Sequence, residues 1–555
     1  MAKKQKIGEL LVSRGIITEH VLKQALAEQK IVNQKLGEIL VERGWAKAYQ
    51  INEAIASQME TELVSIADYV IESEILSLVG EDQARKFKAM PLFKHEDVLT
   101  VAMTDPNDVF ALDQLQRKSG YKIKPMLATE ADISWAIEHY YKTSGSVEDV
   151  IAAINQEDLE KGDRSQEANI LKLVNLLISK AVHDKASDIH IEPEEKTVNV
   201  RYRIDGILRK RYVLPKFIQS AVSSRIKILS DLDVSEKRLP QDGRIRMNIE
   251  AKQIDFRVSI CPMIYGENVV LRILDKSGLV LGLDSLGFQK RELDLFKKLL
   301  LSPYGILLVT GPTGSGKTTT LYSGLQILNK EDVNVMTVED PVEFQFHRMR
   351  QVQMKPAIGL TFASALRSFL RQDPDIIMVG EIRDLETAQI SVQAALTGHL
   401  VLSTLHTNDS SSAFTRLIDM GIESFLVSSS ILGVLAQRLV RVVCGKCRKE
   451  YKPSQEILES LELNPDEYKD AKFYKGQGCK NCNGTGYKGR VGIYELLQNS
   501  KSIQDLILKR ASSSQIRKVA CQEGLVTLRQ AAINKLLAGE TTVEEVLRVT
   551  QEINV

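Results

Sequence analysis

Hydrophobic and polar positions follow three different rhythms along this chain. Between Lys6 and Gln58 the rhythm is helical and doubled: Lys6 through Gln29 realigns on Lys35 through Gln58 at a constant offset of 29 positions. Two copies of one helical unit are predicted. In each copy a glycine (Gly8, Gly37) opens the unit, an apolar pair follows (Leu11-Val12, Leu40-Val41), and Gly15 or Gly44 ends the first helix. The second helix then places Leu22 and Leu26, or Ile51 and Ile55, on one face. From 61 to 141 the pattern turns mixed, with a strand at Val98–Met103 before the turn signal Asp105-Pro106-Asn107-Asp108.

Residues 142–168 are polar and acidic and predict a linker or a loosely held helix. A helix at Ile170–Asp184 and alternating strands at 188–193, 197–204, 254–260 and 268–273 predict an α+β domain over 169–275. From Leu286 onward, short apolar runs (305–309, 334–338, 376–379, 400–405) alternate with helical stretches. That alternation predicts an α/β domain over 276–555, a mostly parallel sheet with helices on both faces.

The first of these runs carries the most specific chemistry. Gly311-Pro312-Thr313-Gly314-Ser315-Gly316-Lys317-Thr318-Thr319 follows a strand and opens a helix, which is the context of a phosphate-binding P-loop. Its glycines let backbone N–H groups close around an anion at the positive end of a helix. Lys317 is placed to reach β- and γ-phosphates, and Thr318 to offer its hydroxyl to Mg²⁺. The chain is therefore expected to bind ATP or another nucleoside triphosphate. Three later strand ends deliver Glu339, Glu381 and His406, at the edge where open α/β sheets bind ligands. Glu381 suits the orientation or deprotonation of a water, and His406 a hydrogen bond to the γ-phosphate.

Composition narrows the class. A chain of 555 residues exceeds one hydrophobic core. With 73 basic against 72 acidic residues it has no electrostatic footprint for nucleic acid, so a DNA-translocating motor ranks low. The basic N-terminus leads into an amphipathic pattern and not into a signal peptide. The least polar long stretch, Phe425–Val443, contains Gln437, Arg438 and Arg441, which argues against a membrane span. A cytoplasmic protein is expected.

Four of the six cysteines form two C-x-x-C pairs, Cys444/Cys447 and Cys479/Cys482, with Gly478, Gly484 and Gly486 to supply tight turns. Two such pairs suit a structural Zn²⁺ with four thiolates better than redox pairs or unliganded thiols. Cys261 and Cys521 have no sequence partners and read as core residues.

These motifs resemble one family, the ATPases of type II secretion and type IV pilus assembly. The resemblance rests on ASDIHIEP from Ala186, KRLPQDGR from Lys237, NVVLRIL from Asn268, GPTGSGKT from Gly311, TVEDPVE from Thr337, LRQDPDIIMVGEIRD from Leu370, TGHLVLSTLHTND from Thr397 and GETTVEEVLRVT from Gly539. It implies a RecA-like P-loop domain preceded by a PAS-like domain and an N-terminal region of helical repeats plus a small α/β subdomain. Lys317 and Thr318 would be the Walker A pair, Glu339 the acidic-box residue, Glu381 the Walker B residue and His406 the His-box residue. Arg257 and Arg272 match arginines lent to the nucleotide of the same or a neighbouring subunit, although each can equally pair with a nearby acid. Arg367, Arg371 and Arg383 lie near the same blocks.

The resemblance further implies a homo-hexamer, peripheral to the inner membrane through a secretion or pilus platform and cytoplasmic adaptor proteins. A tetracysteine insert, at about 440–490, belongs to extension-type motors. The repeats are similar to a cyclic-di-GMP-binding N-terminal domain, with Lys6, Gly8, Gln29, Lys35, Gly37, Gln58 and Asp105 at its ligand positions. They depart from it at Lys6 and Lys35, where the family has arginine, so the charge is kept and the planar fork is lost. The expected function is ATP hydrolysis coupled to pseudopilus assembly in type II secretion. The alternatives are type IV pilus extension and a slowly hydrolysing nucleotide-sensing scaffold.

Overall fold

A computed structural model describes residues 7–550 apart from 33, 60, 72, 142–145, 162–163, 250–251, 275–281, 465–467 and 469–470. Its contacts divide the chain into two units, 1–275 and 276–555.

In the first unit each repeat is a helix pair, Ile7–Ser13 with Glu19–Val32 and Leu36–Glu42 with Ala48–Gln58. Gly15 and Gly44, both at φ 69°, end the shorter helices in a conformation that disfavours side chains with a Cβ. Gly8 and Gly37 act differently: a Cβ on Gly37 would stand 2.8 Å from Cγ2 of Ile51, and one on Gly8 2.5 Å from Cδ1 of Leu22. The helices therefore touch backbone to side chain. Leu11, Ala25, Leu40, Ile51 and Ala54 fill the shared core. Leu26, expected on the buried face with Leu22, is 41% exposed, and Ala25 takes the inward position.

The small subdomain is a three-stranded sheet whose strands are β2 (Ala89–His95), β3 (Val98–Met103) and β4 (Lys122–Leu127). A two-residue strand before them, β1 (Tyr69–Val70), joins a different sheet. That larger sheet contains β5 (Ala186–Pro193), β6 (Thr197–Ile204), β7 (Ile207–Pro215), β8 (Gln241–Ile249), β9 (Lys252–Met263) and β10 (Gly266–Leu274). Its order is β1-β8-β9-β10-β5-β6-β7. Tyr69 pairs with Asn248 and Val70 with Ile249, in parallel. The described part of 142–168 forms short helices at Val147–Ala152 and Gln156–Glu160 and the start of the helix Arg164–His183. Val147, Val150 and Ile154 are buried in the core of the large sheet, so this stretch is packed and not loose.

In the second unit β11 (Gly305–Thr310), β12 (Val335–Glu339), β13 (Met349–Gln353), β14 (Ile376–Val379), β15 (Leu400–Leu405) and β16 (Ile431–Val443) run parallel. A side hairpin of β17 (Arg448–Tyr451) and β18 (Phe473–Gly476) precedes β19 (Tyr487–Gln498), which closes the sheet antiparallel to β16. The order β13-β12-β14-β15-β11-β16-β19 places β11 between two strands made later in the chain. Every residue of β11 is buried, as its unbroken apolar run requires for a strand covered on both faces. Leu307 and Val309 meet Leu321 and Leu325 on one face, and Ile306 and Leu308 belong to the core on the other. The stretch Phe425–Val443 ends a helix, Ser424–Ser430, and forms β16; among the described residues no helix is long and apolar enough to cross a membrane.

Candidate functional site

The loop after β11 has the backbone that its glycines permit. Gly311, Gly314 and Gly316 have φ of 148°, 79° and 89°. At Gly311 a Cβ would stand 2.4 Å from the carbonyl oxygen of Gln437, so only glycine fits between the loop and β16. The helix Lys317–Leu328 starts directly after Gly316. Its first N–H groups and dipole thus face the loop opening. Pro312, Thr313, Gly314 and Thr318 are exposed there, Thr319 is half-buried, and Ser315 is buried with its Oγ lacking a hydrogen-bond partner among the described residues. Lys317 folds back, its Nζ donating to the carbonyl oxygens of Gly311 (2.8 Å) and Pro312 (3.1 Å). Burial pushes the Lys317 ammonium below its usual range, Glu381 opposes that, and Arg438 adds to it. A cation held half-buried among carbonyls is poised to exchange them for phosphate oxygens.

Glu381, two residues after β14, and His406, one after β15, are brought together by neighbouring strands. His406 Nε2 lies 3.3 Å from one carboxylate oxygen of Glu381, and Arg383 Nη2 lies 2.5 Å from the other. The residue after His406 is fastened to the P-loop strand: the N–H of Thr407 donates to Oγ1 of Thr310 at 2.8 Å. Lys317, Glu381 and His406 therefore form one charged constellation at the carboxyl end of the sheet.

Glu339 stands apart from that constellation in exposure. It ends β12 but is only 4% exposed. Its carboxylate accepts from Oγ1 of Thr337 (2.6 Å), from Nε2 of Gln351 (3.2 Å) and from the hydroxyl of Tyr322, which the P-loop helix supplies. Burial raises its pKa, and those three donors oppose the rise. Glu339 is thus wired to the P-loop helix from beneath.

Motif reading singled out neither Gln437 nor Arg438 as site residues. Gln437 Nε2 donates to the carbonyl oxygen of Ser315 at 2.8 Å, and Oε1 accepts from the Thr320 hydroxyl at 2.8 Å. Arg438 Nη2 donates to the carbonyl oxygen of Asn408 at 3.0 Å. The signal was a pair of polar residues inside an otherwise apolar run.

The candidate arginines of the first unit line up across strands. Arg257 on β9 pairs in register with Arg272 on β10 and with Arg244 on β8. Residues opposite one another share a face, so the row holds three guanidinium groups, of which Arg244 was not singled out. Arg272 is exposed and its Nε donates to Asp188 at 3.0 Å. Of the others, Arg367 pairs with Glu386, and Arg371 donates to the carbonyl oxygen of Arg367 at 2.7 Å.

The two C-x-x-C pairs converge. Sulfur separations are 3.9 Å for Cys444–Cys479, 3.8 Å for Cys447–Cys482 and 3.7 Å for Cys479–Cys482, and all four sulfurs lie within 4.8 Å of one another. A tetrahedron with Zn–S bonds of about 2.3 Å has edges of about 3.8 Å, which three of these separations match, so the set fits Zn²⁺. Burial raises the Cys482 thiol, but the N–H groups of Cys479 and Gly486 and the thiols of Cys479 and Cys447 at its sulfur together reverse that and hold it at about 6. Cys261 is half-buried and Cys521 exposed, so Cys521 is not the core residue expected.

At the repeats, Lys6 lies outside the described residues. Gly8 and Gly37 are explained by helix packing. Lys35 caps the helix Leu36–Glu42, and Gln29 donates to the carbonyl oxygen of Gln34 at 3.1 Å. Gln58 ends its helix, and Asp105 is exposed, one carboxylate oxygen accepting from the N–H of Asn107 at 3.0 Å. A cleft of about 920 Å³ lined by Lys330, Asp332, Arg348, Arg350 and Asp375 opens where β12, β13 and β14 begin, at the opposite end of the sheet from the P-loop.

Against known proteins, the profile of the type II/IV secretion system protein family matches residues 163–548, and that of the MshEN domain matches 59–147. Residues 7–58 lie outside both. The chain is 44% identical over 558 residues to the type IV pilus assembly ATPase PilB of Myxococcus xanthus, covering 98% of each. It is 49% identical over 401 residues to the type II secretion system ATPase E of Vibrio cholerae, covering 72% of this chain and 78% of that one. Among solved structures, the Legionella pneumophila ATPase DotB matches with a TM-score of 0.50 at 23% identity, over 68% of this chain and 94% of that one, a likeness of fold.

Proposed function

The chain belongs to the type II/IV secretion system protein family, and from that membership we propose that it is a hexameric, Mg²⁺-dependent ATPase that drives assembly of a pilin-like fibre. The observation that carries the reading is the convergence of Lys317, Glu381 and His406 beside an anion-ready glycine loop. Water is the nucleophile. Glu381 orients it and takes its proton, while His406 holds the carboxylate and reports the terminal phosphate. Lys317 leaves the carbonyls of Gly311 and Pro312 for the β- and γ-phosphates. Thr318 is the exposed hydroxyl that would hold Mg²⁺, a cation that neutralises phosphate charge. Arg257 and Arg272, the arginines that the family resemblance assigns to a nucleotide of the same or a neighbouring subunit, stand in register with Arg244. Cys444, Cys447, Cys479 and Cys482 would hold a Zn²⁺ that is structural, because four protein ligands would leave no open position.

Pseudopilus assembly in type II secretion is the first reading of the output. Type IV pilus extension is the second, and the end-to-end match to a pilus assembly ATPase, N-terminal repeats included, favours it. The cyclic-di-GMP reading rests on the resemblance at Lys35, Gln29, Gln58 and Asp105, of which the MshEN match at 59–147 includes Asp105. The protein would act in the cytoplasm, held to the inner membrane through platform and adaptor partners. The test is Mg-ATPase activity of the full chain with ring size recorded. Activity that rises with assembly supports a motor, whereas rings that bind ATP without turnover overturn it in favour of a scaffold. Deleting the gene then separates the outputs: loss of surface pili, or loss of exported proteins with pili intact.

A further inference from the structure

Alternation along β16 sends Gln437 and Arg438 to opposite sides of one strand beside the P-loop. Gln437 fastens the loop itself. Arg438 fastens the segment that follows His406, through Nη2 to the carbonyl oxygen of Asn408 (3.0 Å) and to its Oδ1 (3.4 Å). That segment is held at each of its next residues as well. The N–H of Thr407 donates to Thr310, Asp409 accepts from the N–H of Ser412 at 2.8 Å, and Ser410 donates its N–H (2.9 Å) and hydroxyl (2.5 Å) to Glu495 on β19. His406, by contrast, has a side chain that is 51% exposed and lies against Glu381. Where the imidazole points is set by the anchored segment behind it.

Arg438 is a costly choice for packing alone. Its Nη1 is buried without a hydrogen-bond partner among the described residues, Lys317 is close enough for the two cations to repel, and burial holds the guanidinium below its usual range although Asp409 and Glu495 attract it. An apolar side chain of similar length would avoid these costs. We propose that Arg438 is a positioning residue for ATP hydrolysis, holding Asn408 so that His406 meets Glu381 in the geometry the reaction needs. The inference rests on the ATPase reading above.

The test uses the full-length chain with Mg-ATP and four variants: Arg438→Gln, Arg438→Lys, His406→Ala, and His406→Ala combined with Arg438→Gln. Arg438→Gln is expected to lower kcat about tenfold or more, with KM for ATP and affinity for fluorescent ADP within about twofold of wild type. Arg438→Lys recovers part of the rate, because an ammonium still donates to the Asn408 carbonyl. In the His406→Ala background, Arg438→Gln adds less than about a twofold further loss, because two residues acting as one unit are not additive. Should Arg438→Gln fail to fold, Arg438→Lys replaces it in the same double-mutant comparison. An unchanged kcat, a parallel loss of ADP affinity, or equal losses in both backgrounds overturns the positioning role alone. A folded wild type that does not hydrolyse ATP overturns the ATPase reading and this inference with it.

Discussion

His406 and Glu381 face each other across β14 and β15 with Nε2 and Oε2 3.3 Å apart, while Arg383 occupies the second oxygen of Glu381. The carboxylate is thus held from two sides and cannot turn away from the P-loop opening without breaking an ion pair. Replacing it with an amide keeps the size and removes the basic oxygen. Glu381→Gln is expected to lower kcat by about 10²–10⁴ while ATP binding persists. Single-turnover hydrolysis beside a fluorescent-nucleotide titration checks both halves; wild-type turnover in the variant would remove Glu381 from the mechanism.

Glu545 has no exposed surface, and its two oxygens accept from Arg441 (2.7 Å) and Arg548 (2.8 Å). Burial alone would raise its carboxyl, but the hydrogen bonds from Arg548 and Arg441 outweigh it and hold the pKa at about 2, against 4.5 for an ordinary glutamate. A group whose folded pKa is depressed stabilises the fold above its unfolded value. The contribution, about 3 kcal/mol by linkage, is complete above pH 4.5 and is lost as pH falls toward 2. In Glu545→Gln, unfolding midpoints between pH 7 and pH 3 should lie below wild type by an amount that shrinks on acidification. A gap that widens instead would show that the pair is not the source.

Sulfur spacing that already matches a zinc tetrahedron predicts one Zn²⁺ per chain in elemental analysis of protein purified without chelator. Cys479→Ser should lose that metal and render the 440–490 segment protease-sensitive, with the P-loop still binding nucleotide. Metal retained in the variant would mean that the site is elsewhere.

Gly37 lies under Ile51 with no room for a methyl group. Gly37→Ala should destabilise the repeat region by about 1–3 kcal/mol, read as earlier hydrogen exchange over 36–58. Unchanged exchange would leave ligand binding as the reason for a glycine there.

The P-loop strand and its neighbours were legible because β11, β12, β14 and β15 are buried on both faces and read as unbroken apolar runs. Motif order placed Glu339, Glu381 and His406 at three strand ends beside the P-loop; the contact between Glu381 and His406 comes from the pairing of β14 with β15. β8 was missed because only its second half, Ile245, Met247 and Ile249, carries apolar positions, whereas Gln241–Arg244 has none and reads as a polar turn. β16 was missed for a different reason. Gln437, Arg438 and Arg441 interrupt its apolar run, and the partners that make them acceptable there, Ser315, Asn408 and Glu545, are remote in sequence. Glu339 was expected at an open strand end. Its enclosure by Tyr322 and Gln351 depends on a helix and a strand that no local pattern relates to it.

The pairing of Tyr69 and Val70 with Asn248 and Ile249 makes the segment before residue 142 a guard for the large sheet. Without it, the Asn248–Ile249 end of β8 would lose its neighbour and lengthen the open outer side of that strand, a template for another extended chain. A shortened chain that keeps every residue of the nucleotide site but starts after 142 would carry an open sheet edge. Its solubility, and not its catalysis, would be the first property to suffer.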